Sequence, residues 1–136
     1  MKKKYSNQNI KHASNSLPIW NLEDLYPSIS SKKITKDLDY IEKSSILFAK
    51  KYESKISKLN SKHLLTAILD LEKIDEIMDK ILSYAHLLIA ENSDHEKNKI
   101  FFQQMQEKIT KYSSLLIFFT LELNQVNEKK INILLK

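Results

Sequence analysis

Four histidines, at positions 12, 63, 86 and 95, and a run of acids at Glu72, Asp75, Glu76 and Asp79 are the residues of this sequence whose types could do chemistry. Imidazoles and carboxylates at helical spacing hold zinc or carboxylate-bridged metal pairs. The positions three residues before the histidines hold Asn9, Asn60, Ser83 and Asn92, so the Glu-x-x-His pair of such bundles is missing. The segment His95-Glu96-Lys97-Asn98-Lys99 begins like the helical His-Glu-x-x-His of zinc proteases but ends on a lysine. A cation cannot serve as the second ligand, so His95 reads as a surface residue near a helix start. The four acids fall at i, i+3, i+4 and i+7 on one helix face. Lys80 follows Glu76 by four residues, the favourable order for a helical ion pair, and the group reads as a solvated face. The chain contains no Gly and therefore no Gly-rich phosphate loop, and no Ser stands in a recognisable nucleophile setting. No catalytic, cofactor-binding or metal-ligating residue is assigned.

The elements that carry these residues are helices. Apolar positions Ile34, Leu38, Ile41, Phe48, Tyr52 and Ile56 predict a first helix from about Ile34 to Ile56, with Ser30 or Ser31 as N-cap and polar Ser45 interrupting the stripe. A break at Ser57-Lys58-Leu59-Asn60-Ser61 precedes a second helix, capped by Asn60 or Ser61, with Leu64, Ile68, Leu71, Ile74, Met78, Ile81, Ala85 and Leu88 on one face and an end near Ala90. Ser93 or Asp94 would cap a third, whose stripe runs Phe102, Met105, Ile109, Tyr112, Leu116, Phe119 and Leu123. Asn127 would cap a short fourth helix over the terminal residues. The expected fold is all-α, an up-and-down bundle of three long antiparallel helices plus an incomplete fourth, preceded by an extended N-terminal arm.

Composition narrows the function classes. All 22 basic residues are Lys, against 17 acids, for a net charge of +5. Residues 1–16 hold four of those Lys and no acid, which leaves a body of 18 Lys and 17 acids, a net +1. That body has no basic excess for nucleic acid, and Arg, the residue suited to bidentate base or phosphate contacts, is absent. Residues 1–16 read as a disordered basic tail without the apolar stretch of a signal peptide. The longest apolar run, Leu115-Leu116-Ile117-Phe118-Phe119, is far short of the roughly 20 residues that span a bilayer. Absence of Cys fits a reducing, cytoplasmic setting.

One stretch is more distinctive. Leu17-Pro18-Ile19-Trp20-Asn21-Leu22-Glu23-Asp24-Leu25-Tyr26-Pro27 holds the only Trp and both Pro. It resembles the opening of oligoendopeptidase F, a member of the thimet-oligopeptidase-like zinc metallopeptidases, with Asn21 where Asp is more usual. Ser83-Tyr84-Ala85-His86-Leu87-Leu88-Ile89-Ala90 through Asp94 is similar to that family's turn between long helices, and Phe118-Phe119-Thr120-Leu121-Glu122-Leu123-Asn124 to its Phe-Phe-x-Leu-Glu-Leu-Asn stretch. The resemblance covers about residues 17–126 and none of the family's catalytic signature.

The resemblance implies a helical N-terminal domain over 17–136 that walls part of an oligopeptide channel. Zinc and the residues that hold it belong, in that family, to a catalytic portion downstream, so this chain is expected to carry no cofactor and to be inactive alone. It would be a split-gene product, a truncated form or a remnant of a decayed peptidase gene. The alternative is a free-standing helical protein–protein interaction module. Trp20, Leu22, Leu25 and Tyr26 are the expected structural anchor of the arm. Apolarity on all sides around Leu115, Ile117 and Phe118 marks a helix covered on more than one face. Leu115, Phe118, Ile131 and Leu134 are the candidates for contact with a separately encoded catalytic portion or with a second copy, and no nucleic-acid or membrane partner is expected.

Overall fold

The computed structural model describes residues 22–134, without the side chains of Glu23 and of residues 129–134. Trp20 and the basic tail over 1–16 lie outside the described residues. Helix α1 is Leu22–Leu25, α2 is Lys32–Tyr52, α3 is Ser61–Glu91, α4 is Glu96–Ser114 and α5 is Ile117–Leu134, with a 3-10 turn at Ile56–Lys58 between α2 and α3. Among the described residues there is no strand. The chain is an all-α bundle.

Helix α2 starts where Ser31 accepts a hydrogen bond from the Lys33 N–H at 3.2 Å, relieving one of the free amides of the first turn. Its buried side chains are Ile34, Ile41, Ser45, Phe48 and Tyr52, a single stripe at helical spacing in which Ser45 occupies a core position. The helix ends at Tyr52, four residues before the expected end at Ile56, because Ser54 takes a left-handed φ of 66°. Glycine usually fills that place after a helix. A chain with no Gly puts a Ser there instead.

Helix α3 begins as expected at Asn60, whose Oδ1 accepts from the His63 N–H at 2.8 Å. It runs 31 residues, about 46 Å at 1.5 Å per residue. Ala67, Ile74, Met78, Ile81, Tyr84 and Ala85 are buried, while Leu64, Ile68, Leu71 and Leu88 of the expected stripe are half-buried at its edge. Fully burying an Ile such as Ile81 contributes about 1.5–3 kcal/mol, and Ile41 and Ile81 are both wholly enclosed. Lys80 lies near Asp37 and Lys73 near Tyr40, so α2 and α3 run antiparallel.

The turn into α4 is built differently from the expectation. Asn92 accepts through Oδ1 from the Asp94 N–H at 3.3 Å, an Asx turn, and the N-cap is His95 without a side-chain cap, rather than Ser93 or Asp94. Phe101, not Phe102, is the first deeply buried residue of α4; Phe102 is half-buried against His86. Helices α2, α3 and α4 pack on one another as a three-helix body.

The expected long third helix is instead two. Ser113 and Ser114 turn their hydroxyls back to the carbonyls of Thr110 and Lys111 at 3.2 and 2.7 Å. Such back-bonding bends helices. The Leu115 and Leu116 amides then donate to Tyr112 and Ser113 by three-residue steps, and α5 starts at Ile117. It continues through Asn127, so the short fourth helix capped there does not form; α5 packs on the 3-10 turn.

Candidate functional site

The described end of the arm, Leu22–Leu25, is a single helical turn, and residues 17–21 lie outside the described residues. Leu25 and Tyr26 retain only 2% and 1% of their exposure, and Leu22 is half-buried. The Tyr26 ring stands edge-on to Tyr84 at 5.2 Å, and Tyr84 in turn meets Phe101 at 5.9 Å. The Tyr26 hydroxyl donates to Asp37 Oδ2, while Lys80 lies 4.6 Å from the Tyr26 ring centre and 3.8 Å from the same carboxylate oxygen. Lys80 therefore reaches across to α2 instead of pairing with Glu76 along its own helix. Burial first, and then the hydrogen bond and charge of Asp37, push the Tyr26 phenol well above its ordinary value.

An open groove of about 680 Å³ passes Asp37, Lys73, Glu76, Asp79, Ser83 and His86. The acids Glu72, Asp75, Glu76 and Asp79 are all exposed, as a solvated face requires. Asp75, although exposed, loses part of its hydration, and that loss and then the Asp79 carboxylate raise it above its ordinary value. His63, His86 and His95 lie on the surface, and among the described residues no group of three His, Asp or Glu side chains is placed to hold a metal ion. Lys99 occupies the second-ligand position of the His95 segment, where a cation cannot bind a zinc ion. Within this groove Asp37 and Lys80 engage each other and Tyr26, and the lining carries both signs of charge.

The remaining candidates lie at the start of α5. Leu115 is 38% exposed, whereas Phe118 is half-buried with its ring 5.8 Å from Phe48. Leu116 and Phe119 belong to the core. Ile117 and Leu121, one helical turn apart, are more exposed than Leu115 and extend its apolar surface. The side chains of Ile131 and Leu134 lie outside the described residues.

Sequence reasoning missed Glu122. Its carboxylate accepts from the Ser54 N–H at 2.8 Å and the Ile56 N–H at 3.4 Å, tying α5 to the turn after α2. No periodicity reveals a contact across 68 residues. Among the described residues no helix is long and apolar enough to cross a membrane. No protein-family model, curated protein or solved structure matches the chain.

Proposed function

We propose that this chain is the N-terminal helical lobe of an oligoendopeptidase F-like zinc metallopeptidase, bordering the channel for oligopeptides and acting with a separate catalytic portion that supplies the zinc. The observation that carries the reading is where the three resembling segments fall. Tyr26 of the first segment packs on Tyr84 of the second, and Phe118 and Phe119 of the third pack on Phe48. The residues behind the resemblance are thus bundle-building residues, as expected of a family label in a non-catalytic lobe. The test mixes the purified chain with an oligoendopeptidase F from which the matching N-terminal region has been removed, and follows cleavage of a quenched fluorescent oligopeptide. Cleavage that appears only in the mixture supports the reading. Failure to bind or activate that fragment, or cleavage by the chain alone, refutes it.

A second reading, a helical interaction module, draws on Leu115, Ile117 and Leu121, which together expose an apolar surface at the start of α5. Sedimentation of the chain by itself separates the two. Self-association that Leu115→Lys with Leu121→Lys abolishes favours the module, and a monomer that joins only the peptidase fragment favours the lobe.

A further inference from the structure

Two different attachments hold α5. The first is apolar: Leu116 and Phe119 sit in the core, and the rings of Phe118 and Phe119 lie 5.8 and 5.7 Å from Phe48. Leu123 adds a half-buried contact to the same core. The second is polar, the Glu122 carboxylate bound to the amides of Ser54 and Ile56. Apolar contact is non-directional and tolerates rotation, whereas two hydrogen bonds to a charged acceptor fix an orientation. The segment joining α5 to the body is itself not α-helical. Ser113 and Ser114 bond back to the preceding turn, and the amides of Leu115, Leu116 and Phe119 make three-residue steps instead of the α-helical ladder. Leu115 keeps a right-handed φ of −68° and ψ of −18°, so no strained backbone conformation locks the junction there.

We propose that residues 113–116 form a hinge and that Glu122 is its clasp. The aromatic contact with Phe48 is the pivot, and the carboxylate sets the direction in which α5 leaves the three-helix body. The Ser54 amide belongs to a residue with φ of 66°, so the clasp also holds the turn after α2 in its left-handed form. Release of Glu122 frees both partners together: α5 rotates on Phe48, and Ile117 and Leu121 change their facing relative to the body. The mechanism concerns the conformation of this chain and stands or falls independently of the peptidase reading.

The chain contains no Cys, so Lys62→Cys on α3 and Gln125→Cys on α5, both exposed in the native chain, give a unique pair of spin-label sites. The distance between them is measured by pulsed electron resonance with Glu122 present and in the Glu122→Ala and Glu122→Gln variants. The expected result is one narrow distribution with Glu122, a broad or displaced one with Ala, and an intermediate one with Gln, whose carbonyl oxygen still accepts. Hydrogen exchange should accelerate at least about tenfold at the Ser54 and Ile56 amides in Glu122→Ala and stay unchanged at Ile41 and Ile81. An unchanged distance distribution in Glu122→Ala overturns the proposal. So does global unfolding of that variant, which would make the carboxylate a support of the body rather than a clasp on one helix.

Discussion

Ser45 is the most informative place to perturb the bundle. It is 0% exposed, lies between Ile41 and Phe48 on the core stripe of α2, and its hydroxyl has no hydrogen-bond partner. A buried polar group left unpaired costs about 1–3 kcal/mol. Replacing Ser by Ala inside a helix adds about 0.5 kcal/mol of helix preference. Against these gains stands the small void left by one oxygen, a few tenths of a kcal/mol at about 24 cal/mol per Å³. Ser45→Ala should therefore stabilise the chain by about 1–3 kcal/mol, the void subtracting little. At this length the melting midpoint should rise by about 3–5 °C per kcal/mol. The assay is urea unfolding followed by circular dichroism, with the slope compared between variants so that a change in midpoint reads as a change in stability. A Ser45→Ala protein less stable than the parent by more than about 0.5 kcal/mol would refute the reasoning, because it would mean that the hydroxyl bonds a backbone carbonyl one turn earlier, as helical Ser often does.

Ser54→Gly removes the steric cost of the left-handed turn and should stabilise by about 1 kcal/mol in the same titration. Tyr26→Phe leaves Asp37 without its phenol donor and should cost about 1–2 kcal/mol at neutral pH. The Tyr26 phenol is raised above its ordinary 10.0 in the folded chain, so its contribution is complete below pH 10 and is lost as pH rises beyond that point; unfolding midpoints of parent and Tyr26→Phe taken at rising alkaline pH should converge. Asp75 is raised above 3.8 by partial loss of hydration and Asp79, so its ionisation opposes folding, and Asp75→Asn should raise the melting midpoint at pH 7 but not near pH 3, where the carboxyl is already neutral.

What the sequence made legible was periodic. Ile34, Ile41, Phe48 and Tyr52 on α2, and Ile74, Met78, Ile81 and Ala85 on α3, repeat at three, four or seven residues, and each is buried. The caps at Ser31 and Asn60 were equally readable, since a short polar side chain before an apolar-periodic run has few other uses. Leu25 and Tyr26 were identified as anchors by their type, although their helical turn was not, because four residues are too few to show a period. Periodicity does not tell Phe101, which is buried, from its half-buried neighbour Phe102 for a related reason. Adjacent residues on a helix differ by about 100° in direction, and the packing of neighbouring helices decides which one faces inward.

The break between α4 and α5 was hidden because the apolar stripe runs through it without a phase error: Tyr112, Leu116 and Phe119 keep the spacing of a continuous helix and all three are buried. Neither Gly nor Pro marks the site. The break coincides with two Ser hydroxyls that donate to carbonyls of the preceding turn, a local choice that is neutral in hydropathy and so leaves no trace in the pattern. Beyond the break, α5 packs on the turn after α2, where Glu122 meets the amide of left-handed Ser54. The stripe, the helix break and the Glu122 contact meet in one arrangement, and of the three only the stripe is written in a form that periodicity can read.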